Sequence, residues 1–153
     1  MKPMTCAALL MWLLTVGGCD RATPGPTGPS APGPRSGVWS GTLTTASTVD
    51  AVRLALDEQR LDADRSLLAG TWTATATSGG TTAGVIIGTL NGATGTLTLT
   101  PSATPTCATP PLLPGAVGTY IVTTLSAGTD TLRGPYQVGT CQGSLAGTLE
   151  VRR

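Results

Sequence analysis

The sequence predicts an all-β fold, an eight-stranded antiparallel up-and-down meander that closes into a barrel, with an open sheet or a two-sheet sandwich as the alternative. Three observations predict it. A five-residue strand motif recurs from residue 37 onward. The segments between its copies are rich in turn residues, and no segment beyond the amino-terminal apolar run has helical spacing of its apolar residues. Strands joined by short connections form a meander, and eight such strands close naturally into a barrel.

The motif consists of an apolar residue, any residue, glycine, threonine and a second apolar residue. Because residues two apart in a strand share a face, the glycine lies beside its apolar neighbours and the threonine points the other way. We therefore expect an apolar interior with glycines that leave room for large side chains, and an outer surface of threonine. The copies are 39–43, 68–72, 86–90, 93–97, 116–120, 145–149 and the variant 132–136, and the alternating run 52–56 supplies the eighth strand.

Two connections carry specific predictions. Asn91-Gly92 is typical of a two-residue hairpin turn, which would pair Leu90 with Ala93. The charged run 57–65 is interpreted as a solvated hairpin loop of mixed charge.

The same alternation places apolar side chains on the outer surface of two strands, where they could form one patch. These side chains are Val85, Ile87, Ile121 and Leu125. We expect Leu112 or Leu113, from the proline-rich segment 108–115, to pack over one of them as a lid. The alternative is a bare patch that serves as a partner-binding face.

The amino terminus has the pattern of an export signal. An apolar run, 7–16, follows Lys2 and is too short for the roughly 20 residues of a spanning helix. Gly17-Gly18 and then Cys19 follow it, an arrangement that resembles a bacterial lipoprotein signal peptide. The resemblance implies cleavage before Cys19 and acyl chains such as palmitate on that residue, which anchor the protein in a membrane of the bacterial cell envelope. An ordinary secretory signal or an uncleaved helix is the alternative, and either places the domain outside the cytoplasm.

The chain divides into three parts on this interpretation. Residues 1–18 are the signal peptide, and residues 19–36 are a lipidated amino terminus and a Pro/Gly-rich tether. Residues 37–153 are the barrel domain. Proline-rich linkers extend by about 3.1 Å per residue, so the tether could hold the barrel well clear of the bilayer.

Cys107 and Cys141 are the remaining cysteines once Cys6 leaves with the signal peptide and Cys19 takes lipid. The first precedes the sixth predicted strand and the second follows the seventh. The two therefore lie at the same end of neighbouring antiparallel strands, and in an oxidising compartment they predict a disulfide. A reactive or metal-binding pair is the alternative, and it lacks histidine or a close second cysteine.

Composition excludes most catalytic chemistry. The chain has no histidine and its one lysine is Lys2, so the mature protein lacks the usual base of a serine or cysteine triad and the amine of a Schiff base. The carboxylates within 57–65 lie among arginines and are too few for a hard-cation loop. We expect no catalytic residue, no metal site and no cofactor. The net charge of the full chain is +1, with no basic stripe, so no nucleic-acid partner is expected either.

Four aromatic side chains are candidates to line a ligand pocket at a barrel mouth, with a purely structural role in the core as the alternative. They are Trp39, Trp72, Tyr120 and Tyr136. Around 68–72 and 132–136 the chain resembles lipocalin-like and avidin-like barrels, in which Gly-x-Trp/Tyr motifs recur. Over 37–153 its pattern is similar to that of Gly/Thr-rich bacterial lipoproteins of unknown role. No biotin-site constellation is recognisable.

The predicted function is that of a lipid-anchored, non-catalytic envelope protein whose barrel presents loops to a protein or cell-wall partner. The alternative is a carrier that holds a small apolar ligand inside the barrel. Small barrel lipoproteins that inhibit lysozyme or secreted proteases share the anchor and size, but none of their inhibitory-loop signatures is evident.

Overall fold

The computed structural model describes residues 33–103, 116–141 and 143–153. Each strand pairs antiparallel with the next, and the last pairs with the first, which closes the barrel. The predicted eight-stranded meander is confirmed, and it is closed rather than an open sheet or a sandwich. The strands are β1 Gly37–Thr44, β2 Val49–Arg60, β3 Arg65–Thr75, β4 Thr81–Asn91, β5 Thr94–Pro101, β6 Ala116–Ala127, β7 Thr131–Thr140 and β8 Gly143–Arg152.

Several predictions fall outside the described residues. These are the signal peptide 1–18, the lipidation site Cys19 with most of the tether, Cys107 of the predicted disulfide, and the lid residues Leu112 and Leu113. Among the residues that the structure does describe, no helix is long and apolar enough to cross a membrane.

Alternating apolar residues form the core of the barrel. Buried and exposed positions alternate along most of β2 and β4 and through β7, as the motif predicts. Glycines on the inward face lie opposite large side chains. Gly84 pairs with Trp72, and a Cβ atom on that glycine would lie 2.6 Å from the indole Nε1. The inward glycines thus make room for bulky neighbours on the adjacent strand.

The β4–β5 hairpin forms, but the predicted register is wrong by two residues. Asn91 pairs with Thr94 and Leu90 with Gly95, so the two-residue loop is Gly92-Ala93 rather than Asn91-Gly92. Gly92 has φ 61°, as expected for the first central residue of a type II′ turn, and no non-glycine residue among those described has positive φ. A shift of two residues preserves which side chains face inward, so the alternation could not distinguish the two registers.

Leu125 faces the core and is fully buried, so its predicted outward position is wrong. The β6–β7 pairing changes register between Val122 and Ser126, which marks a bulge in β6. Thr123 and Thr124 are both exposed there. Before them the even-numbered residues face inward, and beyond them the odd-numbered residues Leu125 and Ala127 do. A bulge inserts one extra residue into one strand and so reverses the faces beyond it.

The charged run 57–65 is mostly strand rather than loop. β2 continues to Arg60 and β3 begins at Arg65, which leaves a loop of residues 61–64. Glu58 continues the inward alternation of β2 and is 2% exposed. The interpretation of the whole run as a solvated loop is therefore wrong at this residue.

The two ends of the barrel differ in charge. We call one the tether end; it carries the entering segment 33–36 and the loops 61–64, 92–93 and 128–130. The far end carries the loops 45–48 and 76–80; β5 and β7 end there, and β6 and β8 begin there. The sequence holds no charged residue between Arg65 and Asp130 or between Arg133 and Glu150. Among the described residues, all charged side chains except Asp50 and Arg53 therefore lie in the tether-end half.

Candidate functional site

Three of the four predicted aromatic residues come together inside the barrel. The rings of Trp72 and Tyr120 are 5.4 Å apart between centroids and meet edge to face. Tyr120 and Tyr136 are also 5.4 Å apart, with their planes tilted by 59°. Because β3 and β6 are not neighbours in the sheet, the contact of Trp72 with Tyr120 spans the barrel interior. Edge-to-face aromatic pairs of this kind add to the stabilisation from burial.

Trp39 forms none of the ring contacts found among the described residues of this group, and its neighbours are different. Its indole Nε1 donates to the Arg35 carbonyl at 3.0 Å, and the Arg153 guanidinium carbon lies 5.9 Å from the ring centroid. Both arginines belong to the tether end. β1 begins at that end, which is why an early β1 residue packs there.

The tyrosine hydroxyls reach solvent although their rings are buried. Tyr120 is 9% exposed and Tyr136 3% exposed, yet neither hydroxyl has a hydrogen-bond partner among the described residues. Every fully enclosed side-chain nitrogen or oxygen atom in that part of the chain does have a partner. The two hydroxyl oxygens must therefore reach solvent, while their rings are buried.

An added Cβ on Gly147 would contact both the Tyr136 hydroxyl oxygen and the carbonyl oxygen of Thr44, the last residue of β1, so this hydroxyl lies at the far end. Asp50 lies at the same end. It is the second residue of β2, and its register partner Leu43 is a core residue, so its side chain faces the barrel opening. Burial raises the pKa of Tyr120, and the negative charge of Asp50 raises it further. Burial, Tyr120 and Asp50 together raise the pKa of Tyr136 to about 12. Both phenols are thus neutral at physiological pH.

A buried ion pair closes the tether end, and the sequence interpretation did not include it. The backbone N–H of Arg35 donates to Glu58 Oε2 at 2.7 Å, and its guanidinium lies 3.1 Å from Oε1. Burial raises the pKa of Glu58, but the Arg35 backbone N–H, the Ser66 hydroxyl and the Arg35 charge outweigh it and hold the pKa below the ordinary 4.5. The sequence did indicate the inward position of Glu58, because Glu58 continues the alternating series of inward residues 52, 54 and 56 in β2.

The remaining site predictions are partly outside the described residues. Cys141 follows β7 and is partly buried, but Cys107 is not described, so the disulfide stays a prediction. The described residues include no group of three or more acidic, histidine or cysteine side chains placed to hold a metal ion.

Two shallow depressions of the described surface lie on the outer wall. One is lined by β6–β8 residues such as Thr124, Ser126 and Arg133, and the other by β1–β3 residues such as Val38 and Arg53. Both are open and are lined mainly by outward-facing residues. Comparisons with protein-family models, curated proteins and solved structures found no match to this chain.

Proposed function

We propose that the protein is a lipid-anchored, non-catalytic component of the bacterial cell envelope that binds a protein or cell-wall partner through the surface of its barrel. The observation that carries the proposal is the filled interior. Among the described residues two tryptophans and twelve aliphatic side chains are at most 1% exposed, and the Trp72–Tyr120 contact crosses the middle. A carrier needs a cavity of roughly 300 Å³ or more, and these side chains occupy the space where it would lie.

The attachment of the amino-terminal segment supports an anchored domain. The backbone N–H of Gly33 donates to the Glu58 carbonyl at 3.1 Å, and Arg153 Nη1 donates to the Pro34 carbonyl at 2.8 Å. The last residues of the tether are therefore fixed to one end of the barrel. A lipid at Cys19 would restrain this end, and the far end and outer wall would remain accessible.

The chemistry of the chain supports a non-catalytic role. Histidine is absent and the one lysine lies in the proposed signal peptide. Within the described ranges the one buried carboxylate, Glu58, is paired with Arg35. These residues are suited to binding a partner rather than to catalysing a reaction.

Cross-linking in the native envelope tests the proposal. A photo-reactive residue replaces Ser47 in a far-end loop or Ile87 on the outer wall, and the matched control replaces Leu61, which is exposed at the tether end. We expect a macromolecular adduct from one or both of the first two positions and none from the control. A purified barrel that yields no adduct and releases a small apolar molecule on denaturation would support the carrier instead.

A further inference from the structure

Asp50 has an unusual position for a carboxylate. It faces the barrel opening on the same face as Val52 and Leu54, and it is partly exposed. In the part of the chain that the structure describes, its side chain forms neither a hydrogen bond nor an ion pair. Its charge is therefore available to a ligand at the rim of the far end.

The two tyrosine hydroxyls at the same end of the barrel are held in place, and neither has a hydrogen-bond partner among the described residues. The ring of Tyr136 packs on Gly147, where an added Cβ would lie 2.6 Å from the phenolic oxygen. Tyr120 is fixed between Trp72 and Tyr136. Rings packed in this way hold their hydroxyl oxygens in fixed positions, so within the described part of the chain two preorganised acceptors are left for a ligand.

The charge distribution favours a cation as that partner. Arg53 is the described arginine closest to Asp50 in sequence, and it faces outward on the opposite side of β2. The other described arginines lie in the tether-end half of the barrel. A carboxylate in otherwise neutral surroundings attracts positive charge and repels anions.

We propose that the far end of the barrel binds an organic ammonium group, with the Asp50 carboxylate and the hydroxyl oxygens of Tyr120 and Tyr136 as its acceptors. An ammonium group carries several N–H donors, and it matches a site made of one carboxylate and two neutral oxygens. Calcium or magnesium would need more oxygen ligands than these side chains supply. The inference rests on the proposed binding role and names the chemical group that is recognised.

Titration of the mature full chain with n-butylammonium chloride, followed by NMR, tests the inference. We expect saturable shifts of the Tyr120 and Tyr136 ring signals, and no saturable shift with 1-butanol, which has the same alkyl chain and no charge. Asp50→Asn should weaken binding about tenfold or more, because it removes a charged acceptor. Asp64→Asn, an exposed carboxylate at the tether end, is the matched control and should bind as the wild type does.

Three results would overturn the inference: no saturation with butylammonium, equal shifts with 1-butanol, or unchanged affinity in Asp50→Asn. Tyr136→Phe gives an independent check, since it keeps the ring contacts and removes one acceptor; we expect a several-fold loss of affinity. Amine binding and envelope cross-linking are separate readouts. Failure of the titration alone would leave the surface-binding proposal standing, whereas failure of cross-linking alone would remove the macromolecular partner and leave the far end as a site for a small amine.

Discussion

The guanidinium Nη1 of Arg35 lies 3.1 Å from Oε1 of Glu58, whose side chain is 1% exposed. Arg35 precedes β1, and Glu58 points inward near the end of β2. The same guanidinium reaches the carbonyls of Ala127 at 3.3 Å and Gly128 at 3.4 Å. One arginine thus joins the entering segment, β2 and the end of β6, and it closes the tether end of the barrel.

Removal of this arginine should destabilise the barrel strongly. Arg35→Ala leaves Glu58 buried without its counter-charge, which should cost about 3 kcal/mol in the free energy of unfolding. Addition of Glu58→Gln to that variant should recover part of the loss, because the uncompensated charge is gone. Urea unfolding followed by tryptophan fluorescence measures both. Arg65→Ala, which breaks the exposed pair with Asp62, is the control and should change little. Equal losses at both arginines would contradict a structural role for the buried pair.

Acid should destabilise the barrel through Glu58. Its pKa in the folded protein lies below the ordinary 4.5, so its contribution to stability is present above that pH and is lost as the pH falls through the folded-state pKa. We expect a decline in the unfolding midpoint below about pH 4.5. The decline should be shallower in Glu58→Gln. An identical pH profile for the variant would show that other groups cause it.

The inward glycines should tolerate no side chain. In Gly147→Ala the new Cβ would lie 2.4 Å from the Thr44 carbonyl oxygen and 2.5 Å from Tyr136 Cζ. We expect a loss of about 1–3 kcal/mol in unfolding free energy from this overpacking. Gly139→Ala is the matched control in β7, since nothing lies within 4 Å of its added Cβ. It should stay within about 0.5 kcal/mol of the wild type. A Gly147→Ala variant as stable as the wild type would contradict the close packing of Tyr136 on Gly147.

The outer apolar patch allows a test of the predicted lid. Ile87 is 64% exposed, and Val85 and Ile121 are each 48% exposed. If this surface is bare, Ile87→Thr should leave the unfolding free energy within about 0.5 kcal/mol and should abolish any cross-link formed by a photo-reactive residue at Ile121. If Leu112 or Leu113 covers Ile87 in solution, the variant loses buried apolar area and about 1 kcal/mol or more of stability. Urea unfolding of Ile87→Thr beside Leu113→Ser distinguishes the two, because a lid predicts a similar loss in both.

The inward and outward faces were predictable from sequence because side-chain alternation along a strand has a period of two. That period accounts for the correct placement of Trp72, Tyr136 and the other core residues of the regular strands. A shift of the strand pairing by two residues leaves the inward and outward faces unchanged. The alternation therefore could not distinguish the observed Gly92-Ala93 loop from the predicted turn.

Three further features depend on contacts or pairings that the alternation alone does not specify. The bulge in β6 reverses the faces at Leu125, and nothing in the local residue types marks it. Glu58 is polar at an inward position, which is stable because Arg35 reaches it from a segment distant in sequence. Trp39 lies at the tether end because it comes early in β1, but its contact with Arg153 depends on the pairing of β1 with β8 in the closed sheet.

Intact mass spectrometry of the protein extracted from its native envelope tests the central claim most directly. We expect the mass of residues 19–153 plus acyl chains on Cys19, less two hydrogens for the Cys107–Cys141 disulfide. We expect no small molecule to be retained under native conditions. Cys19→Ala is the control and should yield no acylated species. A wild-type mass that retains residues 1–18 or lacks acyl chains would contradict the anchor, and one apolar molecule bound per barrel would contradict the filled interior.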